Sequence, residues 1–212
     1  MSRRCFTLVE LLTVVAVIAI LAGITIPVVV GMSSKGKEVT ARADMNAIKL
    51  ALTQFKNDYS IWPVAAATSD TLYRAGFSEK KKDEDIDKVI QELTLIKAKP
   101  GTDNVPEAYT PALNTKKRKY LDAPAKPMTA LFEVGTDNPL TGFYKLDPWG
   151  RRYNIAVDTN YDKKLELTTD FLGTGSTAET IAGDVAVYSY GAAEDDGDLE
   201  AFLYSWKTLA DK

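Results

Sequence analysis

The chain has 212 residues, with 26 Lys and Arg against 29 Asp and Glu, a formal net charge of −3 and no histidine. So even a balance leaves no excess of cations to neutralise phosphates, which gives no footing for nucleic-acid binding. The missing histidines remove the commonest general base and transition-metal ligand, and the single cysteine, Cys5, excludes an intrachain disulfide and a Cys-ligated zinc site.

Residues 11–30 carry no charge and are dominated by Leu, Val, Ile and Ala. About 20 such residues span a bilayer as a helix. Arg3 and Arg4 precede the run and no basic residue follows until Lys35, so the positive-inside rule puts the N-terminus in the cytoplasm. Three readings compete. A secretory signal peptide would use Ala22-Gly23 as its cleavage site, but the apolar run continues to Val30, beyond a usual signal core. A plain membrane anchor explains length and flanks but not Glu10. A carboxylate near the start of an apolar helix costs free energy unless it is partnered, or unless it stays hydrated at headgroup depth.

The string Phe6-Thr7-Leu8-Val9-Glu10-Leu11-Leu12 resembles the processing motif of type IV pilins and of the pseudopilins of type II secretion. The resemblance implies that a prepilin peptidase cuts between Cys5 and Phe6 on the cytoplasmic side and that Phe6 is then N-methylated. It implies that Glu10 pairs with the N-terminal amine of a neighbouring copy and sets the register of a helical homopolymer. An opposite charge within a few Å makes a buried carboxylate tolerable. The family has Gly before the cut, where this sequence has Cys5. Pro27 also fits the family and marks a helix kink, since proline removes a backbone donor. Further partners implied are the inner-membrane assembly platform and minor pseudopilins. The implied location is the bacterial inner membrane, single-pass, with the C-terminal domain periplasmic, and then a periplasmic or surface filament.

Beyond Gly31 the pattern turns amphipathic. Val39, Ala43, Ala47, Ile48, Ala51, Leu52, Phe55 and Tyr59 recur at spacings of three and four and predict one apolar stripe, which Pro63 ends. A single helix over residues 6–59 would be roughly 80 Å long. Its first half, residues 6–30, would lie in lipid and residues 31–62 would hold the amphipathic half. This is the lollipop shape of pilins.

Residues 63–146 form a variable region. A short helix is expected over residues 70–77 and a second over residues 83–97, where Ile86, Val89, Ile90, Leu93 and Ile96 keep helical spacing. Residues 99–127, rich in Pro, Lys, Asn and Thr, read as loop. The basic runs Lys80-Lys81-Lys82 and Lys116-Lys117-Arg118-Lys119 read as solvated faces.

Asp147-Pro148-Trp149-Gly150 is a turn signal. Strands are predicted over residues 153–157, 185–190 and 202–206. The fold class that follows is α+β, a long N-terminal helix packed on a small antiparallel sheet of three or four strands within residues 147–212. Asp147–Gly150, Tyr188-Ser189-Tyr190-Gly191, the acidic loop Asp195-Asp196-Gly197-Asp198 and Trp206 together resemble the major pseudopilin of type II secretion.

Two loops are candidate calcium sites. Asp195, Asp196 and Asp198, with Glu194 nearby, stand where the resembling pseudopilins hold a structural calcium, and such a loop offers the several oxygens calcium takes. The alternative is a solvated acidic turn. Asp158, Asn160 and Asp162 have oxygens at alternate positions, as in an EF-hand loop, but Lys163 replaces the turn Gly and Thr169 the last ligand, which favours a polar hairpin turn.

Three functional classes remain open. The leading one is a non-enzymatic filament subunit, of a type II secretion pseudopilus or of a type IV pilus. The second is an anchored binding module such as a minor pilin or adhesin, which exposed aromatics in residues 60–145 would favour. An anchored enzyme would need a carboxylate pair or a Ser/Lys arrangement, and no spacing singles one out.

Overall fold

The computed structural model describes residues 8–64, 67–75, 84–99, 102–123, 128–129, 141–142 and 145–207. The processing residues Cys5 and Phe6 and the run Lys80–Lys82 lie outside them. The chain divides into two compact units, Met1–Val39 and Thr40–Lys212.

Helix α1 covers Leu8–Tyr59, 52 residues without a break. It runs through the position of Pro27, whose side chain lies outside the described ones. In the first unit residues 8–23 of α1 are exposed on every side, beginning with Leu8 at 78%. Within the second unit α1 buries Ala41, Met45, Ile48, Ala51, Leu52 and Phe55. Those spacings of three and four define a stripe, but not the full stripe predicted. Val39 is 68% exposed, and Ala43 and Ala47 also face solvent. The two large side chains Met45 and Phe55 fix which face turns inward, and of the stripe alanines Ala51 follows them while Ala43 and Ala47 fall on the solvent side.

Four antiparallel strands form the central sheet in the order β1-β6-β9-β10. These are β1 (Thr71–Tyr73), β6 (Asn154–Val157), β9 (Val185–Ser189) and β10 (Leu203–Tyr204). β6 and β9 are buried along their whole length, as expected for central strands covered on both faces. The remaining strands pair locally: β2 (Ile96–Lys99) with β3 (Thr102–Ala108), β4 (Met128–Thr129) with β5 (Thr141–Gly142), and β7 (Lys164–Leu167) with β8 (Glu179–Ala182). The α+β class and the three C-terminal strands stand as predicted.

Two predicted elements are corrected. Where a helix was expected over residues 70–77, the chain forms strand β1, with Thr71, Leu72 and Tyr73 paired to Val157, Ala156 and Ile155. Pairing with a strand more than 80 residues away overrides a weak local helix pattern. The expected loop after Lys99 includes β3, whose partner β2 takes Ile96 away from the second helix. That helix, α2, covers Glu84–Thr94 and ends at Leu95, which has φ 60. Its Ile86, Val89, Ile90 and Leu93 are buried as the spacing predicted.

One core joins the inner face of α1 to α2 and the sheet. Tyr188 stands at its centre, edge-on to Phe171 and Tyr190 and stacked on Phe202 with 5.8 Å between centroids. Its hydroxyl donates to the Phe171 carbonyl at 2.5 Å, so the buried phenol is not left unpaired.

Candidate functional site

Glu10 sits in the first turn of α1, where the partial positive charge of the helix N-terminus favours a carboxylate. Around it the surface is apolar on all sides. Leu8, Val9, Leu11, Leu12, Val14, Val15, Val17, Ile18, Ile20 and Leu21 are all exposed. Burying each is worth about 1.5–3 kcal/mol, so the segment is built to be covered.

The C-terminal motifs meet in a buried joint. Asp147 is almost fully enclosed. One carboxylate oxygen accepts the N–H of Trp149 at 3.0 Å and of Arg151 at 2.8 Å; the other accepts the Ser189 hydroxyl at 2.5 Å. Burial pushes its acidity below that of an ordinary carboxyl, and these donors pull the other way. The Arg151 guanidinium donates to the carbonyls of Gly191 and Ala193 at 3.0 and 2.9 Å. The Asp-Pro-Trp-Gly turn thus clamps the Tyr-Ser-Tyr-Gly segment and holds it as a structural joint. Residues flanking the turn reach α1: Lys145 pairs with Asp44 at 2.7 Å, and the Tyr153 hydroxyl donates to Asp44 at 3.2 Å.

The acidic loops use their oxygens internally. Asp196 pairs with the Arg74 guanidinium and accepts the Thr174 hydroxyl at 2.9 Å. Asp195 accepts the N–H of Gly197 at 2.8 Å, and Asp198 lies 3.4 Å from the N–H of Glu194. In the second loop Asp158 accepts the N–H groups of Asp162 and Lys163, Asn160 that of Asp162, and Asp162 that of Lys164. These are the bonds of a polar turn. Among the described residues no group of three or more acidic side chains is gathered to hold a metal. As arranged, the first loop engages Asp196 with a guanidinium, and the second engages all three side chains with its own backbone N–H groups.

Residues 2–26 match the prokaryotic N-terminal methylation motif. Over 58 residues the chain is 36% identical to the type II secretion system core protein G of Pseudomonas aeruginosa, a stretch covering 27% of this chain and 41% of that protein. This chain is pilin-like and related to the pseudopilins. It spans about two fifths of the length of the curated relative it matches. No solved structure matches it.

Sequence reasoning missed the polar anchors of this pilin-like domain. Buried Glu92 accepts the backbone N–H groups of Ala112 and Asn114 at 2.7 and 2.9 Å. Buried Asn114 donates to the carbonyls of Glu92 and Arg118 and accepts the Tyr59 hydroxyl at 2.8 Å. Only the odd placement of Glu92 between Ile90 and Leu93 in a helical apolar stripe hinted at this. The run Lys116–Lys119 is exposed, yet it is more than a solvated face. Arg118 pairs with Asp58 at 2.6 Å, and Lys116 donates to the Asp58 carbonyl at 3.1 Å, so the run ties down the end of α1. The Tyr120 and Arg118 bonds hold the Asp58 carboxyl below its usual range.

Proposed function

We propose that this chain is a pseudopilin, a structural filament subunit of type II secretion with no bond chemistry of its own. The reading is carried by one observation: an N-terminal methylation motif opens a helix whose apolar side chains are exposed on every side. Lipid covers that surface before assembly, and the helices of neighbouring copies cover it afterwards. Among the described residues no helix is long and apolar enough to cross a membrane. The described apolar part, residues 8–23, is shorter than the about 20 residues required, and the uncharged run in the sequence supplies the rest. On this reading the protein is anchored in the inner membrane with its C-terminal domain in the periplasm. Prepilin peptidase cuts between Cys5 and Phe6, and Phe6 is N-methylated. The assembly platform and minor pseudopilins then receive the subunit, and Glu10 sets the stagger by pairing with the amine of a neighbouring copy.

The test is the intact mass of membrane-extracted full chain expressed with and without a prepilin peptidase. Loss of Met1 to Cys5, with or without one methyl group, is expected. An uncut chain would mean that Cys5 blocks processing and that the protein stays a permanent anchor. A cut near Ala22 would replace the filament by a secreted protein. Glu10→Ala is expected to insert normally and to enter filaments poorly, and a normal filament yield would remove the register role.

A further inference from the structure

A cleft of about 630 Å³ opens in the second unit beside β10, an outer strand of the central sheet. It shares no residue with the processing motif or with either acidic loop. The pairing of β10 with β9 fixes which way its backbone points. Leu203 stands opposite Ser189, Tyr204 opposite Tyr188, and the Ser205 N–H donates to the Val187 carbonyl at 2.9 Å. In an antiparallel ladder the backbone groups of successive residues alternate between the partner strand and the open side. Ser205 turns its N–H to β9, so the N–H and C=O of Tyr204 turn away from it. Neither has a hydrogen-bond partner among the described residues.

The cleft lies along that open side. Tyr153 meets Asp44 of α1 on one face of the sheet, and Tyr188 meets Phe171 of the short helix α3 (Thr169–Leu172) on the other. Arg42 of α1 and Leu172 of α3 both line the cleft, so it passes from one face to the other around the edge of β10. Leu172, Phe202 and Tyr204 give it apolar surface. Its charges balance, with Arg42 and Lys207 against Glu179 and Glu200. An occupant therefore needs a donor and an acceptor for the Tyr204 backbone, apolar side chains and no net charge. An extended polypeptide segment has all three, because its backbone matches a strand edge and alternate side chains fall on one face.

We infer that this cleft takes an extended, net-uncharged segment of a different polypeptide, which adds to β10 as a further strand and lays apolar side chains over Phe202 and Tyr204. The described strands of this chain are each committed to a pair within it, so a second copy has no spare strand to lend. Trp206 and Lys207 are both tied to Glu179 of β8, at 2.7 and 3.4 Å, which draws the chain after β10 towards β8 and not back along its own edge. The site stands independently of the filament reading, because it needs neither cleavage nor polymerisation.

The test uses the uncleaved full chain in detergent micelles, isotopically labelled, with the capped peptide acetyl-Thr-Val-Thr-Val-Thr-amide as probe. In the free chain the Tyr204 amide should exchange quickly with solvent. The peptide should slow that exchange and produce saturable shifts at Tyr204, Ser176 and Thr177, with a Kd of about 1 mM or tighter. Two further peptides carry N-methyl groups, one on its Thr nitrogens and the other on its Val nitrogens. Alternate N–H groups of a strand face its neighbour, so one methylation pattern should weaken binding about tenfold or more and the other should leave it nearly unchanged. All the controls lie in the peptide, so none depends on a variant that folds. A Tyr204 amide already protected in the free chain at every protein concentration would mean that this chain covers its own edge. Protection that grows with protein concentration would mean that a second copy covers it. Either result, equal binding of the two methylated peptides, or no saturable shift at Tyr204 would overturn the inference.

Discussion

Tyr204 shows how one side chain records its surroundings. Burial, reinforced by the charge of Glu179, pushes its phenol up to about 12 from the ordinary 10.0. Because the folded value is raised, this group's contribution to stability is whole below pH 10.0 and is lost as pH climbs from there towards 12. Chemical denaturation of Tyr204→Phe across that window should show a shallower alkaline loss than the parent. An identical slope would place the titration elsewhere. Asp147 offers a complementary test. Truncation to Ala strands the Ser189 hydroxyl and two backbone N–H groups in a dry site, at about 1–3 kcal/mol for each partner left unmet. Asp147→Asn keeps an acceptor for the two N–H groups and an amide for the hydroxyl, so urea denaturation should rank it well above the Ala variant.

At the scale of elements, the turn from β9 to the acidic loop depends on a close approach. Gly191 has φ 58, and a Cβ there would run into the carbonyl oxygen of Ala201. Gly191→Ala is expected to destabilise the fold by at least about 1–3 kcal/mol, read as a lower midpoint of urea unfolding. A midpoint within error of the parent would show that the 3-10 turn Leu199–Ala201 can yield. Elements that carry their own signal were legible in the sequence: α2 by its spacing, β6 and β9 by β-branched and aromatic runs, and the Asp147–Gly150 turn by its residue types. Elements defined by a distant partner were not. β1 is three residues of unremarkable composition until β6 lies beside it, and Pro106 disguises β3, which pairs with β2 across a bulge. The inward face of α1 was read correctly at Ile48, Ala51, Leu52 and Phe55. It was misread at its start, because alanines at helical spacing do not reveal whether they face the core or water.

For the whole molecule, the sharpest test concerns calcium. The loop bearing Asp195, Asp196 and Asp198 already contains a cation, the guanidinium of Arg74, whose charged form the Asp196 bond supports against burial. The midpoint of thermal unfolding of the full chain should be the same in millimolar calcium and in chelator. A rise of several degrees with calcium would mean that Asp196 leaves Arg74 and that the loop rearranges around the metal. The candidate sites were legible to different degrees for a physical reason. A processing motif is a linear string and can be read as one. A cation site is a convergence of oxygens, and sequence proximity does not show whether those oxygens converge on an ion, on an arginine or on their own backbone.

The sheet order has a consequence for the time at which this protein can fold. Met45, Ile48, Leu52 and Phe55 emerge early from the ribosome, but β6, β9 and β10, the strands of the sheet that completes their core, are made only from residue 154 onward. Even β1 waits some 80 residues for its partner. Translation at about 5–20 residues per second leaves that apolar face uncovered for many seconds. The domain must therefore close after synthesis, in one late step of long-range pairing. A chain released before β9 keeps its inner helix face open to whatever holdase or protease meets it first.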